Sequence, residues 1–106
     1  MTRSFQHDTE GRHAGLLQEL NEERAVALLR LTRTLERLID RLHDAREQMP
    51  ADDSAARAAA VAAYHELRHQ ALQYRWYVEV QREAIGLRRH DVLDEFYRVP
   101  PPFDSR

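Results

Sequence analysis

The sequence predicts an all-α protein, an antiparallel helical hairpin of two long helices that assembles as a homodimeric four-helix bundle. Three observations favour this fold class. A leucine repeat with alternating spacings of three and four runs through the first half of the chain. Pro50, followed by small and acidic residues, interrupts the repeat, and an alanine-rich run then opens the second half.

The first fifteen residues mix glycine, histidine and charged side chains without an apolar period. A segment of this kind has too little apolar surface to bury against a core. We therefore expect residues 1–15 to form a disordered arm, with order beginning near Leu16.

The first helix is predicted over residues 16–49, and its apolar face is the strongest pattern in the chain. Leu29 and Ile39 widen this face on its two sides, so it is broader than a two-stranded coiled coil needs and suits a bundle of several helices. The a and d positions of the heptad repeat are Leu28, Leu31, Leu35, Leu38, Leu42, Ala45 and Met49.

A turn is predicted over residues 50–54. Pro50 cannot continue the first helix, because its ring clashes with the preceding helical turn. Asp52, Asp53 and Ser54 offer oxygen acceptors for the free amides at the start of a new helix. Such a short connection folds the two helices into an antiparallel hairpin.

The second helix is predicted over residues 54–97, followed by a proline-rich tail over residues 99–106. Gly86 costs roughly 1 kcal/mol relative to alanine inside a helix, so it marks either a break or a close contact. In the tail, Pro100, Pro101 and Pro102 enforce the extended polyproline II conformation. The prediction is a stiff tail that carries one aromatic residue, Phe103.

Length and composition exclude several classes of protein. A chain of 106 residues allows one domain, and the absence of cysteine excludes a disulfide scaffold and thiolate chemistry. The net charge of −2 argues against binding to duplex nucleic acid, which needs a basic face. No apolar run approaches the roughly 18 residues of a membrane span, so we expect a cytoplasmic protein without membrane contact.

The second helix carries apolar side chains on two opposite faces. One face, with Leu67, Tyr74 and Val78, packs against the first helix, and the other would be exposed in a lone hairpin. Because soluble monomers avoid large exposed apolar patches, we expect a second copy of the chain to cover it. The predicted interface residues are Leu72, Trp76, Tyr77, Val80 and Leu87.

One motif in the second helix suggests metal chemistry. The run from His65 through Glu66 to His69 is similar to the H-E-x-x-H signature of the zincin metalloproteases, over five residues. That family also needs a third ligand and a strand edge to align its substrate, and the sequence predicts neither. We therefore interpret the match as a coincidence on a charged helix.

Glu66 and His69 also form the Glu-x-x-His pair found in ferritin-like di-metal bundles. The resemblance implies a partner carboxylate from a neighbouring helix, with Glu36 or Glu47 as the candidates. The predicted metal ligands are then Glu66, His69, Glu36 and His65, and the metal would be Fe, Mn or Zn. A second version places His69, Glu83 and His90 at the subunit interface.

These features lead to two functional hypotheses. The first is a non-enzymatic oligomerisation or protein-interaction module, a scaffold or adaptor without cofactor or catalytic residues, whose partners are a second copy of itself and a further protein. The alternative is a ferritin-like metal-binding four-helix bundle that uses the Glu and His ligands above.

Overall fold

The computed structural model describes residues 2–104, with side chains from residue 11 onward. Every regular element in this range is a helix: α1 spans Thr2–Glu47, α2 spans Ala55–Ala84 and α3 spans Asp91–Phe96. The two long helices are antiparallel, since Arg24 of α1 contacts the end of α2 while Arg46 contacts Tyr64 near its start. This confirms the predicted all-α helical hairpin.

The connection between the long helices contains Pro50 and the predicted turn over residues 50–54. The hydroxyl oxygen of Ser54 caps α2 by accepting a hydrogen bond from the backbone N–H of Arg57 at 3.2 Å. The Arg57 guanidinium reaches back and donates to the carbonyl of Pro50. These two contacts fix the point at which the chain reverses direction.

The leucine repeat of α1 forms the centre of the core. Leu35 and Leu42 are fully buried, and they pack with the buried Ala71 and Val78 of α2. Leu93 of α3 is also buried, so the short helix closes one side of the same core. The other buried members are Leu38, Ile39 and Tyr64.

Helix α1 is longer than the sequence analysis expected, because it begins at Thr2 rather than near Leu16. Residues 2–15 contain no proline, and extending an existing helix by one residue costs far less than starting one. Arg24 donates to the carbonyl of Ala84 at 3.2 Å, which marks the level where α2 ends. On the N-terminal side of this level, residues 11–23 of α1 are exposed, and the molecule reaches 81 Å in length.

The second half of the chain differs from the predicted single helix over residues 54–97. Helix α2 ends at Ala84, where the N–H of Gly86 donates to the carbonyl of Glu83 and the N–H of Leu87 donates to that of Arg82. Together with the positive φ of 90° at Gly86, these bonds form a Schellman motif. The glycine therefore stops the helix and turns the chain toward α3.

We expect Gly86→Ala to destabilise the protein by about 1–2 kcal/mol, because an L-residue is strained at positive φ. No atom lies within 4 Å of the added methyl group, so the backbone conformation alone sets this cost. Urea unfolding at a fixed protein concentration measures it. The control is Gly15→Ala inside α1, where φ is not positive and the space is also open.

The control change should raise the stability, by up to about 1 kcal/mol, because alanine is the better helix former. Opposite signs for the two substitutions are the expected result. A Gly86→Ala protein as stable as the wild type would contradict the motif.

None of the described helices is long and apolar enough to span a lipid bilayer.

Candidate interaction surface

Helix α3 and the tail fold back along one side of the hairpin. Asp94 of α3 forms an ion pair with Arg75 of α2. At the end of α3 the Tyr97 hydroxyl donates a hydrogen bond to Glu36 of α1 at 3.0 Å. The two contacts attach the short helix to both long helices, so this side of the hairpin is covered.

Burial and the neighbouring carboxylate both act on Tyr97. Partial burial of the phenol raises its pKa, and the hydrogen bond to Glu36 and the negative charge of that carboxylate raise it further. The phenol therefore stays protonated and keeps donating to Glu36 throughout the neutral range.

The face of α2 that points away from α1 is uncovered. Trp76 is 59% exposed, and Leu72 and Val80, one turn to either side of it, are 39% and 43% exposed. Leu87, also 43% exposed, extends the patch beyond the helix end. We call these four residues the Trp76 face.

Tyr77 lies at the edge of the Trp76 face and is half-buried. Its ring contacts the rings of Trp76 and Tyr74, with centroids 5.6 Å and 5.4 Å away. Tyr74 packs against the core, so this row of three aromatic rings links the exposed face to the core. The indole is thereby held in a defined orientation on the surface.

Polar groups lie at both ends of the Trp76 face. His90 and Glu83 form a pair at 3.1 Å near the end of α2, and the Glu83 side chain is still 59% exposed. His69, about two turns before Trp76, is exposed. The face thus has an acid beyond one end and an imidazole beyond the other.

A second group of exposed leucines lies on the part of α1 that extends past α2. Leu16, Leu17 and Leu20 are 65%, 52% and 41% exposed. Leu17 falls in line with the heptad repeat, so this group continues the core face beyond the point where α2 ends. Its exposure follows from the unequal lengths of the two helices.

The predicted metal ligands do not form a ligand set. Glu66 and His69 are exposed on α2, and His65 instead accepts a hydrogen bond from the backbone N–H of Phe103 at 3.1 Å. Glu36 is engaged with Tyr97. Among the described residues no group of three or more His, Cys, Asp or Glu side chains is placed to hold a metal ion.

Sequence reasoning missed a second site, where the tail packs onto the hairpin near the turn. Tyr64 and Arg46 both donate to the carbonyl of Pro101. The tail crosses back over residues far away in the sequence, and no local spacing signals such a contact. The three prolines were the one available sign, since they leave backbone carbonyls free for outside donors.

The chain matches no protein-family model, no curated protein and no solved structure.

Proposed function

We propose that this protein is a non-enzymatic helical module that self-associates as a homodimer through the Trp76 face, as a scaffold or adaptor. The exposure of Trp76, at 59% within a continuous apolar patch, is the observation that carries the proposal. Soluble monomers seldom leave such a patch open. Tryptophan is also one of the residue types enriched among the side chains that dominate binding energy at interfaces.

The order of residues along α2 suits pairing with a second copy of itself. In an antiparallel pair of α2 helices with Trp76 on the two-fold axis, residues equally far before and after Trp76 meet. Leu72 then meets Val80 of the second copy, and Val80 meets its Leu72. Both lie within about 40° of Trp76 around the helix, so the contact is apolar on apolar.

The polar groups at the ends of the Trp76 face fit the same register. Residues seven positions from Trp76 on either side lie almost directly in line with it, about two turns away. These are His69 and Glu83, which the antiparallel pairing brings opposite each other across the axis. An imidazole facing a carboxylate is a favourable contact at the rim of an interface, where it fixes register more than affinity.

The dimer is a four-helix assembly to which each copy contributes α1 and α2. The two α2 helices meet in the middle, and each α1 lies on the outside, because the Trp76 face points away from α1. The exposed Trp76 face becomes the centre of the dimer, while α3 and the tail remain on the flank of each hairpin. A scaffold of this kind leaves the extended part of α1 free on each copy for a further protein.

Trp76→Glu tests the proposal. We expect the substitution to weaken dimerisation by at least about 2 kcal/mol, roughly 30-fold in the dissociation constant, because it removes the central anchor and places a charge in an apolar interface. Sedimentation equilibrium over a dilution series measures the constant, and indole emission of the wild type reports whether Trp76 becomes buried as the concentration rises.

Gln70→Glu is the matched control. Gln70 is exposed on the same helix, about 120° around it from Trp76, and the change introduces the same negative charge. Its dissociation constant should stay close to that of the wild type. A wild-type protein that is monomeric at high micromolar concentration, with red-shifted emission throughout, would exclude self-association through this face.

A further inference from the structure

The tail segment from Val99 to Phe103 lies against the hairpin near the turn, and side chains of the helices hold it. Pro100 is buried, and Val99 and Phe103 are half-buried. Among the described residues, the last hydrogen bond between backbone groups joins Tyr97 to Leu93. From there onward the tail depends on contacts with the side chains of α1 and α2.

Two successive proline carbonyls each receive side-chain donors. The Arg68 Nε donates to the carbonyl of Pro100 at 2.9 Å. The carbonyl of Pro101 accepts from the Tyr64 hydroxyl at 2.7 Å and from Arg46 at 3.1 Å. Because polyproline II leaves its carbonyls free, such donors are how a protein surface can recognise a proline-rich segment.

Phe103 is the anchor of the segment. Its ring packs edge-on against Tyr64, with centroids 4.8 Å apart, and the guanidinium groups of Arg46 and Arg57 lie 4.5 Å and 5.8 Å from its centroid. Its backbone N–H donates to the Nε2 of His65 at 3.1 Å. Two cations within 6 Å of the ring centroid are a favourable arrangement, since the ring face is electron-rich.

We propose that this groove is a peptide-binding site for a Pro-Pro-x-Phe segment of another protein, and that the tail of the chain occupies it in cis. The contacts of the bound tail define the ligand. It must present two successive proline carbonyls, the first to Arg68 and the second to Arg46 and Tyr64. A phenylalanine must follow two residues after the second proline. Aromatic-lined grooves that take up preformed polyproline II helices are an established mode of peptide recognition.

The tail can leave the groove without dismantling the hairpin. The buried core that joins α1 and α2 includes Leu35, Leu42, Ala71 and Val78 and contains no tail residue, although Val99 and Phe103 pack against it. An open groove of about 330 Å³ continues next to the seated segment over Arg57, Val61 and His65. In a longer peptide, the residues after the phenylalanine can contact this groove.

The intact tail competes with any incoming peptide. A segment tethered by a short linker has a local concentration on the order of millimolar, so an external peptide binds the wild type weakly. Removing the anchor ring from the tail opens the site while the rest of the chain stays in place. This difference between the two proteins is the basis of the test.

The test measures fluorescence anisotropy of a labelled peptide with the sequence of residues 98–104, Arg-Val-Pro-Pro-Pro-Phe-Asp, added to the full-length wild type and to Phe103→Ala. We expect saturable binding to Phe103→Ala, about tenfold or more tighter than to the wild type. The same peptide with alanine in place of phenylalanine should not bind. Adding Arg68→Ala to the Phe103→Ala protein should weaken binding again, because the Pro100 carbonyl loses its donor.

A second measurement keeps the wild-type sequence and is decisive if Phe103→Ala fails to fold. With 4-fluorophenylalanine at position 103, the fluorine resonance should move as unlabelled peptide is added to several millimolar and displaces the tail. A folded Phe103→Ala protein that binds no peptide, or a resonance unmoved by excess peptide, would overturn the proposal. If peptide binding converts the wild-type dimer into a monomer, the two copies exchange tails in the dimer. That result would also overturn the proposal.

Discussion

Leu35→Ala is expected to destabilise the protein by about 2–5 kcal/mol, a large part of the stability of a domain this small. The side chain is fully buried at the centre of the leucine repeat, where it packs with the core residues of α2. Truncation removes its apolar contacts and leaves a cavity, which the two packed helices can close only in part by moving toward each other. Urea unfolding followed by circular dichroism measures the loss.

The matched control is Leu29→Ala on the same helix. Leu29 is 49% exposed, and the change has the same effect on helix propensity, so the difference between the two variants isolates burial. We expect Leu29→Ala to cost well under 1 kcal/mol. Both proteins are compared at one concentration, because association with a second copy raises the apparent stability. Equal losses for the two variants would show that the leucine repeat is not the core.

The core of the hairpin could be predicted because its pattern is local. The spacing that places Leu35, Leu38 and Leu42 on one face depends only on helical geometry, and these three residues are buried in the structure. The same reasoning placed Val78 on the face of α2 that packs against α1, and Val78 is fully buried. Periodicity also separated the Trp76 face from the core face, and Trp76 is indeed exposed in the single chain.

The arrangement after α2 could not be predicted in the same way. Gly86 signalled a break or a close contact, and only the backbone conformation, with φ at 90°, shows that it is a break. The position of the tail depends on donors far away in the sequence, such as Arg46 for Pro101 and Arg68 for Pro100. Nothing in the spacing of neighbouring residues encodes such contacts.

Motif spacing alone does not determine whether the predicted metal ligands form a site. Glu66 and His69 are one turn apart as the Glu-x-x-His pattern requires, yet both face solvent. A ligand set needs a third group from another element at a distance of a few ångströms, and the spacing within one helix does not determine where that group lies. Glu36, one of the two candidates for that position, accepts a hydrogen bond from the Tyr97 hydroxyl.

Tyr64→Ala is expected to cost about 3–5 kcal/mol, because Tyr64 connects the core to the tail and its ring is almost fully buried. Loss of the ring opens a cavity beside the core and removes the surface against which Phe103 packs. It also removes the hydroxyl that bonds to both Arg46 and the Pro101 carbonyl. Unfolding in urea measures the total loss.

Tyr64→Phe separates the hydroxyl from the ring. The phenyl ring keeps its packing, and Arg46 still donates to the carbonyl of Pro101, so that carbonyl keeps one of its two partners. We therefore expect a loss of only about 1 kcal/mol, at the low end for a buried hydrogen bond. A loss for Tyr64→Phe equal to that for Tyr64→Ala would mean that the hydroxyl network, rather than the packing of the ring, provides the stability. A negligible loss for both variants would mean that the tail and this end of the core are not joined through Tyr64.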